Sequence, residues 1–545
     1  MKTYLRERLH AAFLRLQFPP DTSPGFEKPR NPAHGHITAT AAMALGKKLG
    51  KNPREVASRI LEAADLDAAL VAKAEVAGPG FLNFTFTDRF FALQLPRILE
   101  QGADFGRSAL GAGKTAQVEF VSANPTGPLT VGHGWGAVYG DTVANLLEWV
   151  GYDVTREYYY NNAGRQMRIL GDSVRRRYLE ALGEEGEFPG DYYQGEYIRE
   201  IALHLKEKHG EALRSEPPDG PFLKAAEEEI FADIRKTLDT LGIRFRSFYN
   251  EKTLYEEGKI GEVTEELRTR GLVYEQEGAV WLRTSALGGD KDKVIVKSTG
   301  EPTYRLPDIA YHVEKFRRGY DLMVDVFGAD HVATYPDVLA ALTALGHDAG
   351  RVKVLIHQFV TIVRGGEVVK MSTRKANFYT LDELIQETDP DVVRFFFLMR
   401  GIGSHMNFDL ALAKARSDEN PVYYLQYAHA RIAGIIRHAA EQGAGSPSAE
   451  NPACDLLVSP EETALIQLLL EFPAVVESCA LSYEPHRLAE YLHGLAGQFH
   501  RFYHGCRVVT EDPALTRARL ALCRATARVF RNGFAVLGVS APEKM

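Results

Sequence analysis

The sequence predicts an α/β protein in three parts: a nucleotide-binding parallel-sheet domain, a small α+β domain ahead of it and an all-helical bundle behind it. Three observations predict this. Residues 115–160 read as strand, glycine-rich loop, helix and strand, the opening unit of a doubly wound sheet. Nearly everything from Ala411 to Met545 has helical period. The first hundred or so residues mix helical patterns with one near-alternating run. At 545 residues the chain is too long for a single core, so about three domains are expected.

The first part is placed at residues 1–105. Helical patterns cover Thr3–Leu16, Ile37–Leu49 and Arg54–Ala64, and Asn52-Pro53 supplies a turn before the third. Phe81-Leu-Asn-Phe-Thr-Phe follows the turn Gly78-Pro79-Gly80 and reads as a half-buried strand. Gly102–Lys114, with four glycines, reads as a linker. The second part, 106–410, opens with a strand over Gln117–Ser122, a helix over Gly132–Val150 stopped by Gly151, and a strand over Asp153–Tyr160. Asp172–Arg283 is charged and mostly helical, and is taken as an insertion between two halves of the sheet (about 172–285). Lys293–Val296, Leu322–Phe327 and Val352–Gln358 are expected as later strands. In the third part, 411–545, Leu465–Cys479, His486–Gly505 and Leu515–Gly533 are the clearest helices, with a kink expected at Pro473.

Composition narrows the class. Apolar residues make up 45% and charged residues 25%, both ordinary for a soluble globular protein. No uncharged apolar run reaches about 18 residues, so no membrane span is expected, and the charged N-terminus reads as an amphipathic helix rather than a signal peptide. The four cysteines form no Cys-x-x-Cys pair, so a reduced cytoplasmic setting is expected and a structural zinc site is not. A net charge of −8 argues weakly against nucleic-acid binding by bulk electrostatics, although one basic face remains compatible with it.

Two segments carry chemistry. Ala123-Asn-Pro-Thr-Gly-Pro-Leu-Thr-Val-Gly-His-Gly-Trp-Gly136 lies between a strand and a helix. Its glycines 132, 134 and 136 would let a nucleotide approach the backbone, the helix N-terminus offers N–H groups to phosphate, and His133 adds a donor. Alone, this is as readily a glycine-rich turn packed in a core. Val369-Lys-Met-Ser-Thr-Arg-Lys375 sets three cations among hydroxyl residues, which suits a triphosphate; alone it reads more readily as a solvated basic turn.

Together the two segments are specific. Thr130-Val-Gly-His133 resembles the HIGH signature of class I aminoacyl-tRNA synthetases, and Lys370-Met-Ser-Thr-Arg374 resembles their KMSKS signature. Glu119-Phe-Val-Ser-Ala-Asn-Pro-Thr-Gly-Pro-Leu, Glu157-Tyr-Tyr-Tyr-Asn-Asn-Ala-Gly164, Tyr304-Arg-Leu-Pro-Asp-Ile-Ala-Tyr-His312 and Asn420-Pro-Val-Tyr-Tyr-Leu-Gln-Tyr-Ala-His-Ala-Arg431 resemble the arginyl-tRNA synthetases, and Val76–Phe84 resembles that family's N-terminal domain. The resemblance runs from about residue 25 to Met545. Thr130 stands where the signature has its first histidine, Thr373 replaces its second lysine, Asn162 stands in place of an aspartate and His36 in place of an acid.

The resemblance implies a Rossmann-type class I catalytic domain with a helical insertion, an N-terminal domain touching the outer corner of tRNA, and an anticodon-binding bundle. It implies an ATP-dependent enzyme that activates arginine and transfers it to tRNA(Arg), with Mg²⁺ accompanying ATP and no protein metal site. His133, Lys370, Ser372, Arg374 and Lys375 would be catalytic. Thr130, Gly132, Gly134, Gly136, Val360 and Met371 would join His133 and Lys370 around ATP. Glu119, Ser122, Asn124, His133, Tyr304, Asp308 and Asp330 would surround arginine, a planar cation that calls for carboxylates. If their segment is helical, Tyr304 and Asp308 share a face, and Pro307 favours its first turn. Tyr423, Tyr424, Tyr427, Arg431, Phe81 and Asn83 would contact tRNA, although a tyrosine row in a bundle is equally readable as core. A monomer without membrane partners is expected. Another class I synthetase, a non-catalytic tRNA-binding relative and a nucleotidyltransferase are the competing readings.

Overall fold

The computed structural model of the chain describes residues 1–29, 31–369, 379–443 and 453–545. Its centre is a five-stranded parallel sheet in the order Val352–His357, Leu322–Gly328, Thr115–Glu119, Asp153–Tyr160, Ser247–Asn250. Thr115–Glu119 is first in sequence but central in space, and from Ala116 to Glu119 it is buried, as a strand covered on both faces must be. Strand order reverses on either side of it. Ligands of such sheets bind in the crevice beyond the carboxyl ends of the strands at this reversal.

The helix Val131–Trp149 follows the central strand and joins the sheet to the bundle. Tyr139 donates its hydroxyl to the Tyr483 carbonyl at 2.8 Å, and Asn145 Nδ2 donates to the Val536 carbonyl at 2.9 Å. Beside them the buried Arg394 donates to Asp141 on this helix and to the carbonyls of Leu241 and Leu537. One side chain thus ties together helix, insertion and bundle.

The insertion is helical at first, over Arg165–Ala181, Glu196–His209 and Leu223–Thr240. The structure then corrects the expected division. Ser247–Asn250 returns to the main sheet as its edge, where Ser247 Oγ donates to Glu157 at 2.7 Å. Lys293–Val296 is not in the main sheet; it pairs with Ala279–Leu282 in a separate antiparallel sheet completed by Val273–Gln276. Short apolar runs do not reveal which sheet they join, because only their partners decide it.

In the N-terminal part the strands Phe26–Glu27, Ile37–Ala39, Phe81–Phe86 and Val71–Ala77 form one antiparallel sheet. Ile37–Ala39 is therefore a strand rather than the start of a helix, and the helix begins at Ala41. Pairing with Leu82–Phe84, reinforced by the Thr38 hydroxyl on Asn83 Oδ1 at 2.7 Å, outweighs the helical period. Two of the four glycines in residues 102–114, Gly106 and Gly111, serve close packing. A Cβ on Gly106 would lie 2.3 Å from Phe472 and one on Gly111 2.1 Å from Tyr152. Asn532 Nδ2 also donates to the carbonyls of Gly102 and Phe105.

The bundle comprises Pro421–Glu441, Pro460–Ser482, His486–Gly505 and Pro513–Leu537. Pro460–Ser482 continues as one helix through Pro473. By length and composition alone it is apolar enough to cross a membrane (mean hydropathy 1.6). Here Leu465, Ile466, Leu469, Phe472 and Val476 are all buried within the protein.

Candidate active site

The central strand ends in a constrained turn. Val121 and Ser122 have φ of 68° and 43°, the left-handed region that residues other than glycine avoid. Side chains hold the turn. Ser122 Oγ donates to Glu119 Oε1 at 3.0 Å and accepts from the Tyr159 N–H at 3.2 Å, and Asn124 Oδ1 accepts from the Asn161 N–H at 2.9 Å. The first two strands therefore enter the crevice in fixed register.

Beyond the turn, Thr130 caps the helix Val131–Trp149. Its Oγ1 accepts from the His133 N–H, while His133 Nδ1 accepts from the Thr130 N–H at 3.2 Å. Burial, with His357 adding to it and Asp330 opposing, lowers the His133 pKa to about 4. The ring is neutral at pH 7. With Nδ1 occupied as an acceptor, its proton sits on Nε2, so the side chain presents a donor. The glycines differ in role. A Cβ on Gly134 would lie 2.5 Å from Leu381 Cδ1, and one on Gly136 3.3 Å from His357, so both glycines admit protein. Among the described residues the space at Gly132 is open, the nearest atom being Thr130 Oγ1 at 3.7 Å.

Lys370, Met371, Ser372, Arg374 and Lys375 lie outside the described residues. The chain on either side of them is placed. Val369 bonds back to Ile362, and the Leu381 N–H donates to the Leu129 carbonyl at 2.8 Å, with Thr130 and Thr380 bridged beside it. The chain that follows the second signature segment is thereby fastened to the start of the first at Thr380 and Leu381. Val360 is buried in a small sheet, paired with Met406.

Acids gather on the other side of the turn. Asp308 lies in the first turn of the helix Arg305–Arg317, as Pro307 suggested. Its carboxyl has no hydrogen-bond or ion-pair partner among the described residues. Burial raises its pKa to about 7, with Glu119 and Glu251 adding to the rise and His312 and Lys315 opposing it. Tyr159 stands between these acids and donates to Glu251 at 2.9 Å. Glu119, by contrast, is already paired with the ammonium of Lys315. Glu157 is a structural acid. Burial alone would raise it, but Arg318, Tyr311 and Ser247 override burial and hold it at about 2. Asp330 stands exposed just past the strand Leu322–Gly328. Tyr304 lies at the start of the same helix. It caps the helix one turn before Asp308, whose N–H donates to its carbonyl at 3.2 Å, so the two share a face as expected, but Tyr304 is 85% exposed.

Comparison with known proteins matches this architecture throughout. The family model for the arginyl tRNA synthetase N-terminal domain matches residues 1–86, that for the class I (R) tRNA synthetase catalytic domain residues 94–394, and that for the DALR anticodon binding domain residues 425–545. The arginine–tRNA ligase of Desulfotalea psychrophila is 51% identical over 95% of this chain and 94% of its own, and that of Salinibacter ruber 48% identical over the full length of both. The chain belongs to the arginyl-tRNA synthetases. The fold agrees: the Thermus thermophilus arginyl-tRNA synthetase superposes with a TM-score of 0.75 over all of both chains at 21% identity.

On the bundle of this synthetase, Tyr423 and Tyr427 stack with ring centroids 6.4 Å apart and planes 7° apart. Arg431 lies over the Tyr503 ring at 5.2 Å. Tyr424 instead packs between His493 and His500. In the N-terminal domain Asn83 is buried against Thr38, so its side chain serves the sheet and is closed to a tRNA; Phe81 is half-buried. Two residues near the pocket escaped sequence reasoning. Glu251 lay in a charged stretch with nothing to single it out. Lys315 could have been found, since Asp308, His312 and Lys315 follow the spacing of one helix face.

Proposed function

We propose that the crevice binds arginine through Asp308 and activates it on ATP held at the Thr130–His133 helix start. The chain is an arginine–tRNA ligase, which forms arginyl-adenylate and transfers arginine to the 3′ end of tRNA. The observation that carries the substrate assignment is the unpartnered Asp308 carboxyl, with Glu251 and Tyr159 beside it. A guanidinium is always charged and offers planar paired donors, so it satisfies an acid that would otherwise be costly to ionise.

In the first step a carboxylate oxygen of arginine attacks the α-phosphorus, and the bond to the bridging oxygen of the β-phosphate breaks, releasing pyrophosphate. In the second, the terminal ribose hydroxyl attacks the carbonyl carbon and AMP leaves. Such transfers depend on positioning and charge stabilisation. His133 supplies the Nε2–H donor and the open Gly132 lets the nucleotide approach; Lys370, Ser372, Arg374 and Lys375 are assigned to the phosphates by their place in the signature. Asn124 and Ser122 shape the amino-acid end, and Asp330 stands at the mouth. Among the described residues no three His, Cys, Asp or Glu side chains converge as metal ligands. Mg²⁺ would be held mainly by phosphate oxygens, and no step is routed through it. Tyr423, Tyr427 and Arg431 are assigned to unpaired anticodon bases. The enzyme is read as a cytoplasmic monomer without membrane partners.

Charging of total tRNA with each labelled amino acid tests the reading. Arginine alone should be esterified; charging with another amino acid, or tRNA binding with no charging, overturns it.

A further inference from the structure

The loop that leaves the strand Asp153–Tyr160 carries a side-chain amide engaged at both ends. Asn162 Nδ2 donates to Glu227 Oε1, on the insertion helix Leu223–Thr240, at 2.6 Å, and Asn162 Oδ1 accepts from Asn250 Nδ2 at 3.0 Å. A carboxylate only accepts, so Glu227 fixes which way the Asn162 amide points. The Asn162 oxygen then takes a donor from Asn250, whose own Oδ1 is left to accept the Lys252 N–H at 3.0 Å. The polarity of three successive bonds is thus set by one acid on the insertion. The chain runs along two walls of the arginine pocket. Next to Asn162, the Asn161 N–H donates at 2.9 Å to Oδ1 of Asn124, the residue assigned to the amino-acid end. Next to Asn250, Glu251 accepts the Tyr159 hydroxyl at 2.9 Å, lies among the acids around Asp308 and donates its N–H to the Tyr160 carbonyl at 2.9 Å.

We propose that Asn162 is a positioning residue for arginine binding: held by Glu227, it ties the Asn124 wall and the Glu251 wall of the pocket to the insertion helix. This rests on the pocket assigned above. The groups facing Glu227 are Lys224, Glu228 and Arg235 along its own helix, Tyr160 across an open cavity and Lys252 from the turn after Asn250. Lys252 is itself paired with Glu256 at 2.8 Å, and Arg235 lies over the Phe248 ring at 4.8 Å. Asn162 and Glu227 are in direct contact, so an acid at 162 would set two carboxylates within hydrogen-bond distance of each other. The bond to the insertion would become a repulsion, and both walls would lose their common anchor.

The test is the arginine KM, measured by pyrophosphate exchange on the full-length enzyme with tRNA present. Each variant is read against wild type at the same pH, because Asp308 gives wild type a pH limb of its own. Asn162→Asp should raise the arginine KM about ten- to a hundredfold at pH 8 and leave the ATP KM within about threefold. The excess should shrink as the pH falls to 6, since a proton shared by the two carboxylates restores a hydrogen bond. Glu227→Gln keeps an acceptor and should stay within about threefold of wild type. Asn162→Asp/Glu227→Gln, which exchanges amide and acid, should recover most of the lost affinity and remove the added pH dependence. An unchanged arginine KM in Asn162→Asp overturns the proposal. So does a loss that is equal at every pH and not relieved by Glu227→Gln, or one shared equally with ATP. Should Asn162→Asp not fold, Glu227→Ala carries the test: loss of the acceptor should raise the arginine KM about three- to tenfold with the ATP KM unmoved, and an unmoved arginine KM overturns the idea. Asp308→Asn separates the two levels. If it leaves the arginine KM at the wild-type value, the pocket assignment itself fails; if it raises that KM while Asn162→Asp is silent, only the role of Asn162 fails.

Discussion

Thr130 and His133 fasten each other at the start of the helix proposed to face the nucleotide: the backbone N–H of each meets the side chain of the other. Thr130 therefore supplies a helix cap and holds the histidine in one tautomer. Thr130→Ala removes the hydroxyl acceptor and should cost about 1 kcal/mol of stability with a several-fold loss of kcat in pyrophosphate exchange, whereas Thr130→Ser should keep both. Urea unfolding and exchange rates on the same preparations check this.

Asp308 links the pocket to pH. Its pKa of about 7 is raised mainly by burial, so the carboxyl is half protonated at neutral pH before arginine binds. The arginine KM should therefore fall as pH rises from 6 to 8 and level off above that range. Asp308→Asn should raise the KM by about 10²–10³-fold and remove the pH limb. The sign for stability is opposite. A carboxyl whose pKa is raised on folding opposes the folded state once the pH exceeds its unfolded value, fully so above its folded value. Asp308→Asn should thus melt higher than wild type at pH 8 and no differently at pH 3.

Gly134, in the first signature segment, packs against Leu381, which follows the second. A Cβ there would lie 2.5 Å from Leu381 Cδ1, and Leu381 is 0% exposed with no room to retreat. Gly134→Ala should cost about 1–3 kcal/mol and lower kcat by displacing the chain just after the second signature. Gly134→Ala/Leu381→Ala should recover kcat in part; if the double variant is no better than the single, the contact is not the cause.

The stacked pair Tyr423 and Tyr427 offers a surface for unpaired bases. Loss of one stacked base costs about 1–3 kcal/mol, so Tyr427→Ala should raise the tRNA KM about five- to a hundredfold and leave the arginine KM unchanged. Tyr424→Ala should instead lower the melting temperature, because that ring is packed between His493 and His500. Aminoacylation at varied tRNA concentration distinguishes the two.

Much of the fold was legible because it is written locally. The strand–loop–helix–strand unit, the cap at Asn52 and the helices of the bundle follow from periodicity and turn residues close in sequence. Ile37–Ala39 misled because three residues carry too little period to separate strand from helix, and the hydrogen bonds to Leu82–Phe84 decided it. The glycines of 102–114 read as looseness, although at Gly106 and Gly111 the place of the missing Cβ is taken by the rings of Phe472 and Tyr152. At the crevice, pattern placed His133 at the helix start and Asp308 in a first helical turn, where the structure has them, while nothing in the pattern told that Tyr304 would be exposed.

By itself the sequence determined the chemistry on offer: a helix start shaped for phosphate, cations for a triphosphate and acids for a guanidinium, each set by side-chain type and short spacing. The tertiary structure alone decided which acid is free. Glu119, Glu157, Asp308 and Asp325 are equally acidic as letters. Their roles diverge because Lys315 and Arg318, distant in sequence from Glu119 and Glu157, pair with the other three acids and leave Asp308 without a cation of its own among the described residues. Charge pairing depends on distance through space, and that distance exists only once the strands are in register.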